Sequence, residues 1–533
     1  MRRSTWVYAA ALVAAVGTSA ACGSGGAAAG SGSGAPKAGG TLTFAVGSDA
    51  GCVDPQQVGS NDTIYSVRQL VDSLTDQDPS SGRIVPWLAQ SWQVSPDART
   101  FTFHLRPGVT FSDGTPLTAK VVKANFDAIP KLGPLALLAE GYLSGYTGTT
   151  VVDDLTAKVT FEQPNAQFLQ ATATHSLGIV AASSAAKSPQ QRCGQGVIGS
   201  GPFALSKYVP AQEIALTRRK GYAWGSSLWS KHGEAYLDRL VFRVLPESGV
   251  RTGALQSGQV QAIGSVGRAD EAALKASGVH LQARANPGIV FGLSPNNARS
   301  PLTDEKVRQA ISLAIDRRQI ADTVFPAGTQ PATSVLAHTT PGYRDLGSLL
   351  AHDRARAASL LDADGWTAGS DGIRQKNGAR LRLTATWFAN AATNQPTLEL
   401  VQQQLKAVGV QLDLKELQIA QLVRVQQSGD FDLLWGNITR ADPDILRSSY
   451  STRLANVYKL PKTGLDALLD GQAAAADQAK RWPVVAQAQQ EIARHAYVIP
   501  VVELQTELGV AKTVHDLRFD ASSRIQLHDT WIG

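Results

Sequence analysis

The chain has 533 residues, of which 43% are hydrophobic and 18% are charged. This balance is typical of a globular protein and excludes collagen, coiled coil and wholesale disorder, and the length predicts several domains or one large two-lobed body. The net charge of +6 is small for this length, and the longest basic run is the triplet Arg218–Lys220, so charge gives little support to nucleic-acid binding.

The amino-terminal segment indicates export. Two arginines precede an uncharged, mostly apolar stretch, which is typical of a secretory signal and too weakly apolar for a good membrane span. Small residues then precede Cys22, as at the sites where bacterial lipoproteins are cleaved and lipidated. Ser19 stands where that pattern usually has Leu, so cleavage without lipidation stays open. We expect residues 1–21 to be a signal peptide and Cys22 to carry a lipid.

Residues 22–40 are almost entirely Gly, Ser and Ala after the cysteine, which predicts a flexible tether. A tether is useful when its start is anchored, which favours lipidation of Cys22. Two cysteines then remain, Cys52 and Cys193. An even pair in an exported chain predicts a disulfide, and the alternative is two separate buried thiols.

The amino-terminal half of the chain predicts mostly strands. Thr100–Leu105 places Phe101, Phe103 and Leu105 on one face at period two. The Arg-Pro-Gly turn that follows predicts a hairpin with 109–111 as the returning strand. Further strands are predicted at 41–47, 155–161, 240–244 and 261–263, and one is predicted to run through Leu205 and Tyr208.

The carboxyl-terminal half predicts alternating helices and strands. One apolar stripe at helical spacing predicts a single helix over 304–325, capped by Thr303. Another helix is predicted at 484–495, with Pro483 in its first turn. Further helices are predicted at 353–361 and 398–408, and strands at 410–414 and 498–502. The mixture without a repeat predicts an α/β fold.

The sequence carries no local signature of catalysis or metal binding. It has no GxSxG, GxxxxGK[ST] or HExxH motif and no CxxC pair, and none of its nine histidines lies three or four residues from another. We therefore expect no enzyme activity, no metal site and no cofactor. A Ser–His–Asp triad built from distant positions stays open.

A longer motif resembles a known family. Residues 84–119 read IVPWLAQSWQVSPDARTFTFHLRPGVTFSDGTPLTA, similar to the signature of the oligopeptide/dipeptide/nickel-binding ABC-transporter solute-binding proteins, family 5. Further matching segments follow in the family's order: the Gly-Ser-Gly-Pro-Phe run at 199–203, the Asn-to-Arg block at 297–317, and the Leu-Leu and Gly-Trp pairs at 360–361 and 365–366.

The resemblance implies a bilobed periplasmic-binding-protein-like fold of class II, a large α/β type. Lobe I is expected at 41–290, with an inserted subdomain at 81–195. Lobe II is expected at 291–497, and 498–533 return to lobe I. The lobes of this family close over a ligand by a hinge motion.

The resemblance also places the ligand pocket. Peptide-binding members carry an Asp three residues after a strand-end Trp, where it pairs with the peptide's amino group. Trp435 matches, but the acid position falls on Ile438 or Thr439, which leaves peptide binding through that acid in doubt because a buried ammonium needs a carboxylate. Arg440 suits a carboxylate or phosphate, with a solvated Arg as the alternative, and Asn437 is a further polar contact. Other candidate contacts, each with packing or a loop role as the alternative, are Ser48, Asp49, Phe291, Asn297, Trp387, Asp442 and Glu503.

The predicted function is that of a monomeric receptor anchored to the outer face of the cell membrane by its lipid. It would deliver a peptide or peptide-like ligand to the permease and ATPase subunits of an ABC importer, without binding nucleic acid. A nickel or other metal chelate, or another small metabolite, is an alternative cargo. A surface sensor or envelope scaffold is a second class of function, and a secreted hydrolase is a third.

Overall fold

The computed structural model describes residues 35–388, 391–418 and 421–533. The predicted signal peptide and Cys22 lie outside the described residues. None of the helices in the described ranges has the length and apolar character needed to cross a membrane.

One large sheet is built from both ends of the chain. Its central strand, Thr41–Val46, runs parallel to both neighbours, and its apolar side chains Leu42 and Phe44 are buried. Within the described residues this sheet has seven strands, in the order His280–Ala285, Gln505–Val510, Ala262–Gly264, Thr41–Val46, Arg239–Val244, Glu213–Arg218 and Phe203–Val209.

A second sheet is built from the carboxyl-terminal half. Its inner strand Gly288–Pro295 is buried along its whole length, as is typical of a strand covered on both faces. In the described ranges this sheet has five strands, in the order Gln411–Leu417, Arg382–Phe388, Leu433–Thr439, Gly288–Pro295 and Ile499–Val502. Two short segments, 286–287 and 503–504, carry the chain between the two sheets.

Among the described residues, a third sheet has four antiparallel strands. Its order is Ala89–Val94, Thr100–Leu105, Thr156–Phe161 and Tyr146–Asp153. Phe101, Phe103 and Leu105 are fully buried, as their alternation predicts. The predicted hairpin is wrong, however: Thr100–Leu105 pairs with the strands before it and at 156–161, whereas 109–111 folds into a loop closed by a Thr110–Pro116 bridge.

The remaining strands are short. They pair as Thr75–Gln77 with Ile84–Pro86, Val514–His515 with Trp531–Ile532, and Arg518–Phe519 with Ile525–Gln526; Arg374–Lys376 lies between Thr367–Ala368 and Ala379–Arg380. The α-helices are Asn61–Val67, Ala119–Leu132, Leu137–Tyr142, Phe168–Ala171, Ala182–Ala185, Pro189–Gln195, Ser248–Gln256, Arg268–Ala276, Glu305–Ala314, Arg317–Val324, Arg354–Ala363, Asn394–Lys406, Leu422–Ser428, Ile445–Tyr450, Leu465–Ala474 and Gln478–Arg494. Short 3₁₀ helices lie at Arg68–Leu70, Gly133–Ala136 and His175–Leu177.

The single helix predicted over 304–325 is wrong. The chain forms two helices, because Ile315 is extended and Asp316 caps the second helix by accepting from the Gln319 amide at 3.0 Å. The first helix is capped by Asp304, not Thr303; its carboxylate accepts from the Lys306 amide. Asp is a strong N-cap residue. Asp316 therefore starts a new helix and interrupts the single helix that the periodicity predicted.

The late helix also begins earlier than predicted. It starts at Gln478, capped by Asp477, so Pro483 lies inside the helix rather than in its first turn.

Cys52 and Cys193, the pair selected from the sequence, are joined by a disulfide with their Cα atoms 4.0 Å apart. The bond ties the loop after the first strand to the helix Pro189–Gln195. Close by, Asp54 forms a fully buried ion pair with Arg192 at 2.8 Å, so this corner is held by a covalent and an ionic link.

Candidate ligand-binding site

Arg440 lies where the two halves of the molecule meet. It follows the strand Leu433–Thr439 of the five-stranded sheet, and its guanidinium lies 4.5 Å from the centre of the Tyr142 ring. Its Nη1 is 3.4 Å from Gln167 Oε1 and 3.3 Å from Ser448 Oγ. Tyr142 and Gln167 belong to the segment around the four-stranded sheet, so one buried side chain contacts both halves. The alternative of a solvated Arg440 does not fit its 7% exposure.

Asp442, two residues further on, is committed to an internal ion pair. Its carboxylate accepts from both Arg481 Nη atoms at 2.8 and 2.5 Å, and both residues are buried. Burial opposes the charge of Arg481, but Asp442 and, to a smaller extent, Asp444 together offset it, so the pKa of Arg481 is raised. Asp442 therefore shapes the loop that carries Arg440 and has no free charge to offer a ligand.

The aromatic candidates pack inside the second half of the molecule. Trp435 is buried, stacks on Phe291 at 5.3 Å between ring centres, and donates from its indole nitrogen to Asn394 Oδ1 at 2.9 Å. Trp387 is buried in the same apolar cluster. These three rings favour the packing alternative over an open stacking wall.

The remaining candidates do not come together at one place. Asn297 is buried and donates to the Pro295 and Tyr458 carbonyls. Asn437 is half-buried on the strand that leads to Arg440. Ser48 donates to Asp62, and Asp49 accepts from the Tyr208 hydroxyl.

Glu503 lies at one of the two crossings between the sheets. Its carboxylate accepts from the His338 amide at 2.9 Å and lies 2.5 Å from His338 Nδ1. The hydrogen bond to Glu503 raises the pKa of His338, although burial opposes the charge. His338 in turn lines a polar cavity of about 280 Å³, so Glu503 reaches this cavity through the histidine.

The cavity is walled by segments from both halves. Its lining residues are Gln77, Asp78, Pro79, Ser80, Ser81, Gly82, Arg284, His338, Thr339, Thr340, Pro341, Ala441 and Ala521. Arg284 donates to the Pro79 carbonyl through Nη2. Among the described residues, neither the buried Nε of Arg284 nor the buried Oε1 of Gln77 has a hydrogen-bond partner.

Two further arginines, Arg68 and Arg524, were missed by the sequence analysis. Arg68 lies 4.6 Å over the Trp87 ring. Within the described ranges, the buried Nε atoms of Arg68 and Arg524 have no hydrogen-bond partner. Burial, Arg524 and Arg68 together lower the pKa of His175 well below its usual value. No spacing in the sequence relates Arg68 and Arg524, so nothing in the local pattern could have selected them.

Metal ligands do not cluster in the same way. In the part of the chain that the structure describes, no group of three or more His, Cys, Asp or Glu side chains is placed to hold a metal ion.

Two α/β halves joined by two short crossings, with a polar cavity and buried charges where they meet, define a two-lobed binding protein. Comparison with known proteins gives the same class. Residues 83–456 match the family model described as bacterial extracellular solute-binding proteins, family 5 middle. The chain is 26% identical over 400 residues to the nickel-binding periplasmic protein of Escherichia coli, covering 72% of this chain and 74% of that protein. It is 24% identical over 521 residues to di/tripeptide-binding protein 1 of Pseudomonas aeruginosa, covering 91% and 93%.

Solved structures share the fold. NikA from Brucella suis in complex with Fe(III)-EDTA superposes with a TM-score of 0.80 at 23% identity, covering 93% of this chain and all of that chain. DppA from Helicobacter pylori in complex with the peptide STSA gives 0.77 at 21% identity, covering 93% and 98%. The chain belongs to the family 5 bacterial extracellular solute-binding proteins, the ABC-importer receptors that its motifs resemble, and the predicted bilobed α/β fold is confirmed.

Proposed function

We propose that this chain is a membrane-anchored receptor that closes its two lobes over a small solute, most simply a peptide-like molecule, and presents it to an ABC importer. The observation that carries the proposal is Arg440: the loop in which the motif resemblance places the ligand sends a buried guanidinium across to Tyr142 and Gln167. A ligand held at this place would contact both halves at once.

The sheet strands suggest where the lobes begin and end. We place lobe I at 41–285 and 505–533 and lobe II at 288–502, with 286–287 and 503–504 as the hinge. This moves the second crossing a few residues beyond the predicted 497, because Ile499–Val502 pairs with Gly288–Pro295. Closure would then turn on two short segments, which is the usual structure of a hinge between binding lobes.

The ligand assignment departs from a simple peptide receptor. Relatives in the family bind dipeptides, tripeptides or nickel, as their names state. In this chain Ile438 and Thr439 stand where an acid would hold a peptide's amino group, and Asp442 is occupied by Arg481. The family's amine anchor is therefore missing from this loop.

Ligand protection tests the receptor proposal. The protein is unfolded and refolded to strip bound solute, then heated with and without the small-molecule fraction of its host's growth medium. Binding to the native state raises the midpoint of thermal unfolding. We expect a rise for the wild type and a smaller one for Arg440→Gln. Protection that is absent in every fraction would instead favour a sensor or scaffold without a solute.

The anchor is tested separately. Cys22→Ala should release the protein from membranes, whereas Cys52→Ala should leave it attached. Membrane retention of the Cys22→Ala protein would contradict lipidation at this residue.

A further inference from the structure

A three-residue segment of lobe II, 338–340, contacts the first crossing between the sheets on both of its sides. Thr339 Oγ1 donates to the Ala285 carbonyl at 3.1 Å, just before the crossing. The Gly288 amide, just after the crossing, donates to Thr340 Oγ1 at 2.8 Å. The first bond joins lobe II to lobe I and the second stays within lobe II, so the segment spans this crossing. We call 338–340 the hinge brace.

The hinge brace holds the second crossing through His338. Glu503 Oε1 accepts from the His338 amide at 2.9 Å, and Glu503 Oε2 lies 2.5 Å from His338 Nδ1. Among the described residues, His338 is the only basic side chain that forms an ion pair with Glu503. Glu503 is 2% exposed, and a buried carboxylate is costly without a positive partner. The charge of His338 therefore decides how firmly the second crossing is held.

Other charged groups near this pair act on it less strongly than Glu503 does. The hydrogen bond to Glu503 raises the pKa of His338, although burial and Arg284 both oppose its charge. The charged and titratable groups around the pair and its neighbour Arg284 are Asp78 in the cavity wall, Tyr343 and Asp520. The contact with Glu503 is thus the main influence on protonation of His338.

Solvent reaches the hinge brace. Half of the His338 side chain is exposed, and the brace residues form part of the wall of the polar cavity of about 280 Å³. His338 can therefore exchange its proton with the surrounding medium without unfolding of the lobes. An exported protein experiences the pH of its surroundings directly, so a histidine at this place can respond to it.

The hinge brace is formed while the two lobes touch. The Ala166 amide of lobe I donates to the Ala473 carbonyl of lobe II at 2.9 Å. The Arg440 guanidinium of lobe II lies 4.5 Å from the centre of the Tyr142 ring of lobe I. An intact brace thus accompanies the arrangement in which the lobes are in contact.

We propose that the hinge brace is sensitive to protons: protonated His338 fixes both crossings and keeps the lobes in contact, whereas loss of the proton frees the hinge to open. The hinge itself belongs to the receptor function proposed above, but the brace does not depend on what the lobes bind. Neutral His338 leaves the buried Glu503 without a positive partner, which weakens the hold on the second crossing. Because Glu503 raises the pKa of His338 above 6.5, the ion pair is complete below that pH and is lost as the pH rises through the higher pKa of the folded protein.

The distance between the lobes tests the proposal directly. Spin labels are attached to Lys131→Cys and Lys480→Cys, which replace exposed lysines on the helices Ala119–Leu132 of lobe I and Gln478–Arg494 of lobe II. The full chain carries Cys22→Ala, so that no label attaches there. Label-to-label distances are measured by double electron–electron resonance at about pH 5.5 and about pH 8.5, on either side of the usual pKa of histidine. We expect the ratio of long to short distances to rise about tenfold at the higher pH, which corresponds to about 1.4 kcal/mol.

Three variants at histidines make the result specific. His338→Lys keeps a positive charge and should give short distances at both pH values, whereas His338→Gln should give the longer distances at both. His232→Gln is the matched control, because His232 is exposed, and it should respond to pH as the wild type does. A wild type whose distances do not change with pH would overturn the proposal. An equal response in His338→Gln would overturn it too, because another group such as Glu507 would then be responsible.

This measurement also separates the brace from the receptor function, because it contains no ligand. A pH response without protection by any fraction of growth medium would leave the brace standing and remove the receptor proposal. Protection by a fraction without any pH response of the lobes would leave the receptor standing and remove the brace.

Discussion

Changing Asp442 to Asn tests whether this residue is structural or belongs to the ligand pocket. The substitution keeps the shape of the side chain but leaves Arg481, which is 4% exposed, without the carboxylate that accepts from it at 2.8 and 2.5 Å. Breaking a buried ion pair costs about 3–5 kcal/mol. Gln472 still accepts from Arg481, and Asp444 still favours its charge, so we expect a loss near the lower end, about 3 kcal/mol in the free energy of unfolding.

Urea unfolding followed by tryptophan fluorescence measures this loss. The matched control is Asp322→Asn, because Asp322 and Arg318 form a largely exposed pair 3.8 Å apart, and exposed pairs contribute about 0–1 kcal/mol. A loss for Asp442→Asn no larger than that of the control would show that the ion pair does not stabilise the fold. Weaker ligand binding with an unchanged free energy of unfolding would show that Asp442 belongs to the ligand pocket.

The other predictions concern the core, the disulfide and the buried acids. Trp435→Ala should lower the free energy of unfolding by about 3–5 kcal/mol, because it leaves a cavity in the core; a fall in ligand affinity without loss of stability would contradict this placement. Because Cys52 and Cys193 are joined by a disulfide, thiol titration before reduction should detect no free thiol in the mature domain, and two titratable thiols would refute the bond. The bond closes a separation of 141 residues, and its reduction should lower the free energy of unfolding by about 2–5 kcal/mol. Burial and the nearby Glu271 raise the pKa of Glu507 from 4.5 to about 7. The folded state therefore binds more protons than the unfolded state between these pH values, so the free energy of unfolding should fall as the pH rises from 4.5 to about 7. Glu507→Gln should remove that fall. Equal pH slopes in the wild type and Glu507→Gln, measured by urea midpoints, would count against it.

Local sequence patterns predicted those helices and strands whose conformation depends mainly on their own residues. The alternation of Phe101, Phe103 and Leu105 identified a strand with a buried face, because period two is a property of the strand itself. The partner of that strand depends on segments far along the chain, so the local hairpin was the wrong choice. The apolar stripe over 304–325 predicted helical structure but not its interruption at Ile315, which occurs because Asp316 acts as the N-cap of a second helix.

The site was harder to predict than the fold. The motif resemblance located the loop after Trp435 and singled out Arg440, but the sequence could not show that Trp435 packs on Phe291. Nor could it show that Asp442 pairs with Arg481, since these contacts join residues brought together by tertiary structure. The segments of Arg68 and Arg524 are the clearest case, because they come from opposite ends of the chain and are joined by hydrogen bonds of the Gln69 side chain.

The central claim is that the two lobes hold a small solute at Arg440. Native mass spectrometry of the protein purified from its own host tests it most directly, as wild type, Arg440→Gln and the control Arg424→Gln, whose side chain is exposed on the helix Leu422–Ser428. The account predicts a small bound molecule on the wild type and the control, and its loss from Arg440→Gln. A bound solute that all three proteins retain equally would contradict the account.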